Sequence, residues 1–287
     1  MKIINSNNDL KQIYNYQMKF NSPYFFSVDF DNWKQSFLND IDGNGRTLFK
    51  SLFFKSIYES GELVGFIQYG VTNFGFDNNG EISYDVSYCV IRNFYFDKEE
   101  VGYLLLQEAL DAFKDQDKIY AFYHYFGMSC FGRHGKLFEK HNQIIKVLKH
   151  VGFEIEHENV YYSSLLKDKQ VNEVEIIQNE LTKGNQQFIE FKFLGNQVGG
   201  CELHYINDKV AYLRWIYINN DITGQGMGTK CMKSLKSFLY QNGVIKFDTD
   251  TAVINLVAQH FYEKNDFKRE GLTRSFYINK HTLKKLK

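Results

Sequence analysis

The sequence predicts an α/β fold, an α+β arrangement around mixed sheets, laid out as two tandem copies over residues 1–166 and 173–287. Three observations carry that reading. A chain of 287 residues is long enough for two domains of ordinary size, each with its own core. Period-2 alternation and helical spacing follow one another in the same order in both halves: strands, helix, strand, helix, strands. Near residue 224 an alternating strand runs without a break into three glycines spaced two apart, and a helical pattern then begins.

In the first copy, Leu10, Ile13 and Tyr14, then Trp33, Phe37 and Leu38, lie at helical spacing. Strands are expected at 64–69 and 82–88, joined by the turn Asn78-Asn79-Gly80, and again at 94–96. A helix carrying Leu104, Leu105, Ala109, Leu110 and Phe113 follows, then a strand at 119–123. The next helix runs through Ile144, Ile145, Leu148 and Val151 and stops at Gly152, before strands near 153–155 and 160–162. Lys167-Asp168-Lys169-Gln170 reads as a polar linker. The second copy opens near 174–177, with strands at 188–193, 198–205 and 210–218, the last two joined through Asn207-Asp208. Met232, Leu235, Phe238 and Leu239 mark a helix that ends at Asn242-Gly243. A strand at 245–249, a helix at 255–265 and a closing strand at 274–278 complete it.

Lys+Arg and Asp+Glu balance at 34 each, so bulk electrostatics predict no nucleic-acid partner. No apolar run approaches the roughly 20 residues that span a bilayer, and Met1-Lys2-Ile3-Ile4-Asn5 leads into polar sequence rather than a signal-peptide core. A soluble, cytoplasmic protein without a membrane partner is expected. Cys89, Cys130, Cys201 and Cys231 are scattered, with no C-x-x-C pair and no His at ligand spacing, so reduced thiols and no metal are expected.

The glycines carry the chemistry. At Thr223-Gly224-Gln225-Gly226-Met227-Gly228-Thr229, glycine lets the backbone come close and adopt φ > 0, and the helix N-terminus adds fractional positive charge. Together these suit a phosphate or pyrophosphate. Neither G-x-x-x-x-G-K-[ST] nor G-x-G-x-x-G is present. The stretch resembles the coenzyme A loop of the GNAT superfamily of acyl-CoA-dependent N-acyltransferases, Q/R-x-x-G-x-G/A, with Thr223 in the Q/R place and Gly226 and Gly228 on the small positions. A second stretch, 255–267, resembles that family's N-x-x-A-x-x-F-Y-E-K-x-G-F helix, with Asp266 in place of the glycine. Asp tolerates φ > 0 better than most residues, so the change is mild.

The resemblance implies acetyl-CoA as co-substrate. It places the pyrophosphate over the amides of 223–229, the pantetheine arm along the backbone of Ile216 and Ile218, Asn255 hydrogen-bonded to that arm, and Tyr262 as general acid. An unperturbed tyrosine pKa of about 10 suits a departing thiolate. Some relatives carry a basic carboxylate on the strand before the loop; that place is Tyr212 here, and no base is named. Were Asn207-Asp208 the turn, Tyr212 and Arg214 would share a face with Cys201, Leu203 and Tyr205, opposite Glu202 and His204. Asp248-Thr249-Asp250, at the expected strand end, reads either as an attractor of a cationic amine or as solvated loop. His124 to Gly135 reads as a lid or a plain loop. Only Leu181-Thr182-Lys183-Gly184 stands where relatives have a helix pair walling the acceptor site, so the first copy is expected to supply that wall.

The first copy has no such loop. Phe96-Asp97-Lys98-Glu99-Glu100-Val101-Gly102 is shorter, and Asp97 with Glu100 reads as a capping box that puts carboxylates where a pyrophosphate would sit. His141 and Leu148 fall opposite Asn255 and Tyr262. A degenerate first domain without acyl-CoA binding and an intact second one are therefore expected. The function implied is N-acetyl transfer to a small-molecule or protein amine by direct attack in a ternary complex. A non-catalytic acyl-CoA-binding or sensing protein is the alternative, and an aminoacyl transferase fed by charged tRNA is a third reading. The acceptor and any homodimer stay open.

Overall fold

The computed structural model describes residues 2–4, 10–20, 28–131, 135–167 and 173–279. In chain order the first elements are β1 (Lys2–Ile4), α1 (Leu10–Gln17), α2 (Phe30–Leu38), β2 (Phe49–Glu59), β3 (Glu62–Thr72), β4 (Gly75–Phe76), β5 (Ile82–Ser83), β6 (Cys89–Phe96), α3 (Glu99–Ala112), β7 (Lys118–Ala121), β8 (Leu137–Phe138), α4 (Asn142–Val151) and β9 (Glu154–Leu165). The rest are β10 (Glu175–Gln178), β11 (Gln186–Phe193), β12 (Asn196–Asn207), β13 (Val210–Ile218), α5 (Met227–Gln241), β14 (Lys246–Ala252), α6 (Leu256–Lys264) and β15 (Lys268–Asn279). Residues 168–170 of the expected linker and 132–134 of the His124 to Gly135 stretch lie outside the described residues.

Two compact units emerge, and neither is contiguous. One comprises 1–40, 47–158 and 273–287, the other 41–46 and 159–272. The chain passes from one to the other within β9 and returns within β15. In the first unit the second part of β15 pairs with β7, as Phe276 opposite Ala121 shows. In the second, the later part of β9 pairs with β14, with Asp248 opposite Ser163. Each sheet is thus completed by the strand that follows the other half's last helix.

The first unit is a sheet in the order β1-β2-β3-β6-β7-β15, antiparallel except for β6 and β7, which run parallel around the crossover helix α3. Its core gathers Trp33, Phe37, Phe66, Phe94, Phe96, Leu105 and Leu148, all essentially inaccessible. Beside them lies a polar node. The fully buried Arg92 donates to Ser36 O (2.8 Å), Phe126 O (3.0 Å), Gly127 O (2.8 Å) and Asp40 Oδ2 (2.5 Å). Asp40 also accepts from the Ser36 hydroxyl at 2.7 Å and the Ser129 hydroxyl at 2.6 Å. Every polar group of the pair is satisfied, as burial demands.

Three expectations for this unit need correction. The strand expected at 82–88 is only Ile82–Ser83, and Asn78-Asn79-Gly80 closes the two-residue β4–β5 hairpin instead of joining long strands. Asp77 fixes that turn by accepting from the N–H groups of Asn79 and Glu81 at 2.8 and 2.9 Å. β3 pairs with β6 on one edge and with β2 on the other, and the mixed burial of β2 lacks a clean alternation. The capping box is absent: α3 starts after Lys98, which makes no side-chain cap. Asp97 instead continues the ladder, N–H to Val64 O at 2.9 Å, and its carboxylate accepts the Tyr16 hydroxyl at 2.8 Å. Glu99 and Glu100 still put two carboxylates in the first turn. The strands expected at 153–155 and 160–162 are one strand, β9.

The second unit orders its strands β9-β14-β13-β12-β11-β10, with β13 and β14 parallel around the crossover helix α5. The β12–β13 turn is Asp208-Lys209, bracketed by Asn207 opposite Val210, so the expected register is off by one. Shifting a two-residue turn by one position leaves every side chain on its face; the irregularity between Tyr205 and Asn207, which leaves Ile206 unpaired, is what moves Tyr212 to the face of His204, its cross-strand partner, while Leu203 pairs with Leu213 on the other. Leu203, Leu213, Phe247 and Tyr162 form the core with Leu235 and Leu239 of α5 and Tyr262 of α6. Lys236 of α5 is buried among them and donates to Ser164 Oγ (2.8 Å) and Asn265 O (2.5 Å), pinning the end of α6 to β9.

Two expectations follow for stability. Asp40→Asn leaves the buried Arg92 guanidinium without its counter-charge and should cost on the order of 3–5 kcal/mol, read from urea unfolding. Burial pulls the Lys236 amine down from 10.5 to about 8. Between those values the unfolded chain holds a proton that the folded chain has released, so this group's contribution rises with pH across the window. Lys236→Met removes that slope, and the wild-type-minus-variant difference in urea midpoint should grow from about pH 7.5 to about pH 10.

Candidate functional site

The glycine stretch lies between a 3₁₀ turn, Asn220–Ile222, and α5. Gly224 and Gly226 sit at φ +81° and +83°, and a Cβ on either would meet nothing within 4 Å. Backbone conformation, not crowding, demands glycine there. Gly228 differs: its Cβ would come within 3.1 Å of the Phe261 ring, so it lets α5 close on α6. Thr229 and Lys230 donate their N–H groups to Gly226 O, at 3.1 and 3.2 Å. The N–H groups of Gly224, Gln225, Gly226, Met227 and Gly228 donate to no acceptor among the described residues. Thr223 and Gln225 use their side chains on Asn219 O (3.1 Å) and Asp221 O (3.2 Å), which braces the loop without covering those amides. Five exposed or half-buried donors at a helix N-terminus form an anion cradle.

A fork in the sheet leads to that cradle. The parallel β13–β14 ladder runs from Val210 opposite Lys246 to Leu213 opposite Thr249 and stops there. β13 continues to Ile218 held only by β12, and β14 continues to Ala252 held by β9. The register irregularity between Glu202 and Leu203 leaves Arg214 as the extra residue of β13, the bend at which it turns away. Asn219 N–H bonds Val198 O of β12 at 2.9 Å, so alternation turns the N–H and C=O of Ile218 and Ile216 to the opposite, open edge. That edge offers ladder bonds to any extended amide chain.

At the vertex of the fork, on the α6 face, stands Tyr262, 5 % exposed, its ring against Tyr162 (5.7 Å between centroids) and Phe267 (5.5 Å). Burial raises the pKa of its hydroxyl; the Thr249 hydroxyl beside it works the other way, and the Asp250 carboxylate raises it further. The Thr249 hydroxyl donates to Leu213 O at 3.0 Å, tying the last paired position of the fork. Asn255 is the N-cap of α6, its Oδ1 accepting from Ala258 N–H at 3.1 Å. The exposed Asn255 keeps its Nδ2 amide hydrogens for other acceptors.

The opposite face of the fork holds residues that sequence reasoning had misplaced. Asp248-Thr249-Asp250 lies within β14 rather than in a solvated loop. Asp248 is 1 % exposed, accepting the Tyr161 hydroxyl at 2.6 Å and paired with Lys246 at 3.1 Å. Burial raises its pKa, against the pull of Lys246, Tyr161 and Ser163. Asp250 accepts the Tyr212 hydroxyl at 2.7 Å. Glu202 is held by the Arg214 guanidinium and by Trp215 Nε1 at 2.8 Å. The irregularity at Ile206 hid this cluster, since the right turn alone would have left Tyr212 on the expected face. Segment 41–46 also belongs to this unit, with Gly43 against Gln186 and Thr182.

Among the described residues, no group of three or more His, Cys, Asp or Glu is placed to hold a metal. Among the same residues, no helix is long and apolar enough to cross a membrane. All four cysteines are buried. Burial pushes Cys89 up to about 11, Cys130 and Cys231 up to about 12, and Cys201 well above the usual thiol range. A native sample treated with dithiobisnitrobenzoate should therefore show almost no thiol reaction over minutes, and all four thiols after unfolding.

Comparison with known proteins bears on this geometry. Residues 154–267 match the family described as Acetyltransferase (GNAT) family. That match starts in β9, whose later part completes the sheet carrying the fork. A curated relative, glucosamine 6-phosphate N-acetyltransferase 1 of Dictyostelium discoideum, is 29 % identical over 105 residues, 37 % of this chain, and the chain spans 59 % of that protein's length. Among solved structures, a tandem GNAT protein from the clavulanic acid biosynthesis pathway superposes with a TM-score of 0.63 at 8 % identity, over 97 % of this chain and 98 % of that one. A GCN5-related glucosamine N-acetyltransferase region of a fungal multi-domain β-N-acetylglucosaminidase gives 0.64 at 12 % identity, over 96 % of this chain and 38 % of that one. At such identities the structural likeness speaks for the fold.

Proposed function

We propose that, with residues 154–267 a GNAT-family acetyltransferase domain, the chain transfers an acetyl group from acetyl-CoA to a primary amine by direct attack in a ternary complex. The observation that carries this reading is the fork: an open strand edge at Ile216 and Ile218 runs toward the unbonded amides of Gly224 to Gly228. The two parts fit the two parts of the carrier. Strand-like amides of a pantetheine arm complete the ladder that β14 abandons, as an added strand would, and a diphosphate takes the cradle between Thr223 and Thr229. Asn255 offers its side-chain amide to that arm from the start of α6. Tyr262, kept protonated by burial, supplies the proton that the departing thiolate needs.

We assign carrier binding to this half alone. In the first unit the turn between β6 and α3 is only Asp97-Lys98, without glycine, and Glu99 and Glu100 oppose an anion. One observation favours the non-catalytic alternative: Tyr212 occupies the place where some relatives carry a carboxylate. The acceptor is an amine, and amino sugar phosphates head the candidates because a relative is named for one.

The test is calorimetry with coenzyme A and acetyl-CoA, followed by thiol release from acetyl-CoA across an amine panel that includes glucosamine 6-phosphate. Binding with turnover of at least one amine is expected. Binding without turnover would favour the sensing alternative, and no binding would end both. Tyr262→Phe should keep coenzyme A affinity and lose on the order of 10²- to 10⁴-fold in turnover. Full activity in that variant would remove Tyr262 from the mechanism.

A further inference from the structure

We infer that Asp250 is the base that takes the proton from the attacking amine, with Tyr212 as the positioning residue that fixes its carboxylate. This deepens the acetyltransferase reading and rests on it. Asp250 is the first residue of β14 beyond the last β13–β14 pair, so it stands at the vertex of the fork. Side chains alternate along a strand, and Thr249 faces Tyr262 and the core; Asp250 therefore faces the other way. Tyr212, one residue before the end of the paired stretch, reaches diagonally across and donates to Asp250 Oδ1 at 2.7 Å. Acid and base thus flank the vertex on opposite faces. That arrangement suits an acyl carbon attacked from one side while sulfur leaves toward the other.

The neighbouring carboxylates are less suited. Asp248 is sealed from solvent and ion-paired to Lys246, and Glu202 is committed to Arg214 and Trp215. Asp250 is half-buried, so a substrate amine can approach it. Its negative charge also helps to keep the Tyr262 proton in place until sulfur needs it.

The step balances. The amine enters as the free base, and its nitrogen lone pair forms the C–N bond to the thioester carbon. The surplus N–H proton passes to the Asp250 carboxylate, the C–S pair goes to sulfur, and sulfur takes the Tyr262 hydroxyl proton. Asp250 then releases its proton to water and Tyr262 regains one, leaving amide and free thiol.

The experiment compares wild type with Asp250→Asn, Asp250→Glu and Tyr212→Phe, using acetyl-CoA and the fastest amine of the panel across pH. The groups on the face of Asp250 that also titrate or carry charge are Tyr212, Tyr161, Asp248 and Lys246, with His204 opposite Tyr212; Tyr262 feels its charge from the other face. In Asp250→Asn, kcat near neutral pH should fall by about 100-fold or more with coenzyme A affinity unchanged, and the deficit should shrink as pH rises and hydroxide takes the surplus N–H proton instead. Asp250→Glu should recover part of the rate, and Tyr212→Phe should lose about tenfold. Turnover of Asp250→Asn within about threefold of wild type, a pH-independent loss, or a parallel loss of coenzyme A binding would overturn the assignment. An inactive wild type would instead remove the acetyltransferase reading and this inference with it.

Discussion

The site depends on a set of hydrogen bonds that the sheet does not make. After Leu213 and Thr249 the ladder between β13 and β14 stops, although both strands continue. Unpaired strand edges invite pairing with anything extended. Here the opening persists because each strand is held on its outer edge, β13 by β12 through Gly199 opposite Ile218, and β14 by β9 through Ala252 opposite Asn159. The irregularity at Arg214 bends one arm away. The helix that follows begins with unbonded amides, so chain direction alone takes an extended ligand from ladder-type donors to an anion cradle.

The two halves share this architecture and differ in what stands at the equivalent places. Each has a parallel pair around a crossover helix, β6-α3-β7 and β13-α5-β14, and a further helix after it. The first copy spends the β6–α3 junction on structure: Asp97 continues the ladder and holds Tyr16. His141 and Asn255 are both N-cap residues of the last helix, yet only Asn255 accepts a capping bond. Polar character in the first unit has moved inward, to the satisfied Arg92 and Asp40 node that ties α2 to the segment around Phe126 to Ser129.

Much of the second half was legible because its signals are local. Glycines at positive φ, a Gly stop after α5 and an Asn at the start of α6 are each decided within a few residues. What failed were features set by non-local partners. The irregularity between Tyr205 and Asn207 exchanged the faces of β12 and β13 relative to each other and hid the Tyr212 to Asp250 contact. β2 escaped notice because its burial does not alternate, and the capping box at Asp97 was outcompeted by a ladder bond to a residue 33 positions earlier, Val64. No periodicity announces which sheet β9 and β15 will join.

That last feature governs how the polypeptide matures. The strand beside β7 is Phe276 to Asn279, so the edge of the sheet that begins near residue 2 stays open until residues 276–279 have been synthesised. Until then β7 exposes the apolar edge of a half-built layer, and contacts joining residues near 120 to residues near 277 make assembly slow relative to a chain of local hairpins. Cutting the chain within β9 or ahead of β15 would therefore rob one unit of the strand that the other half's sequence supplies, so neither half folds to a complete sheet by itself.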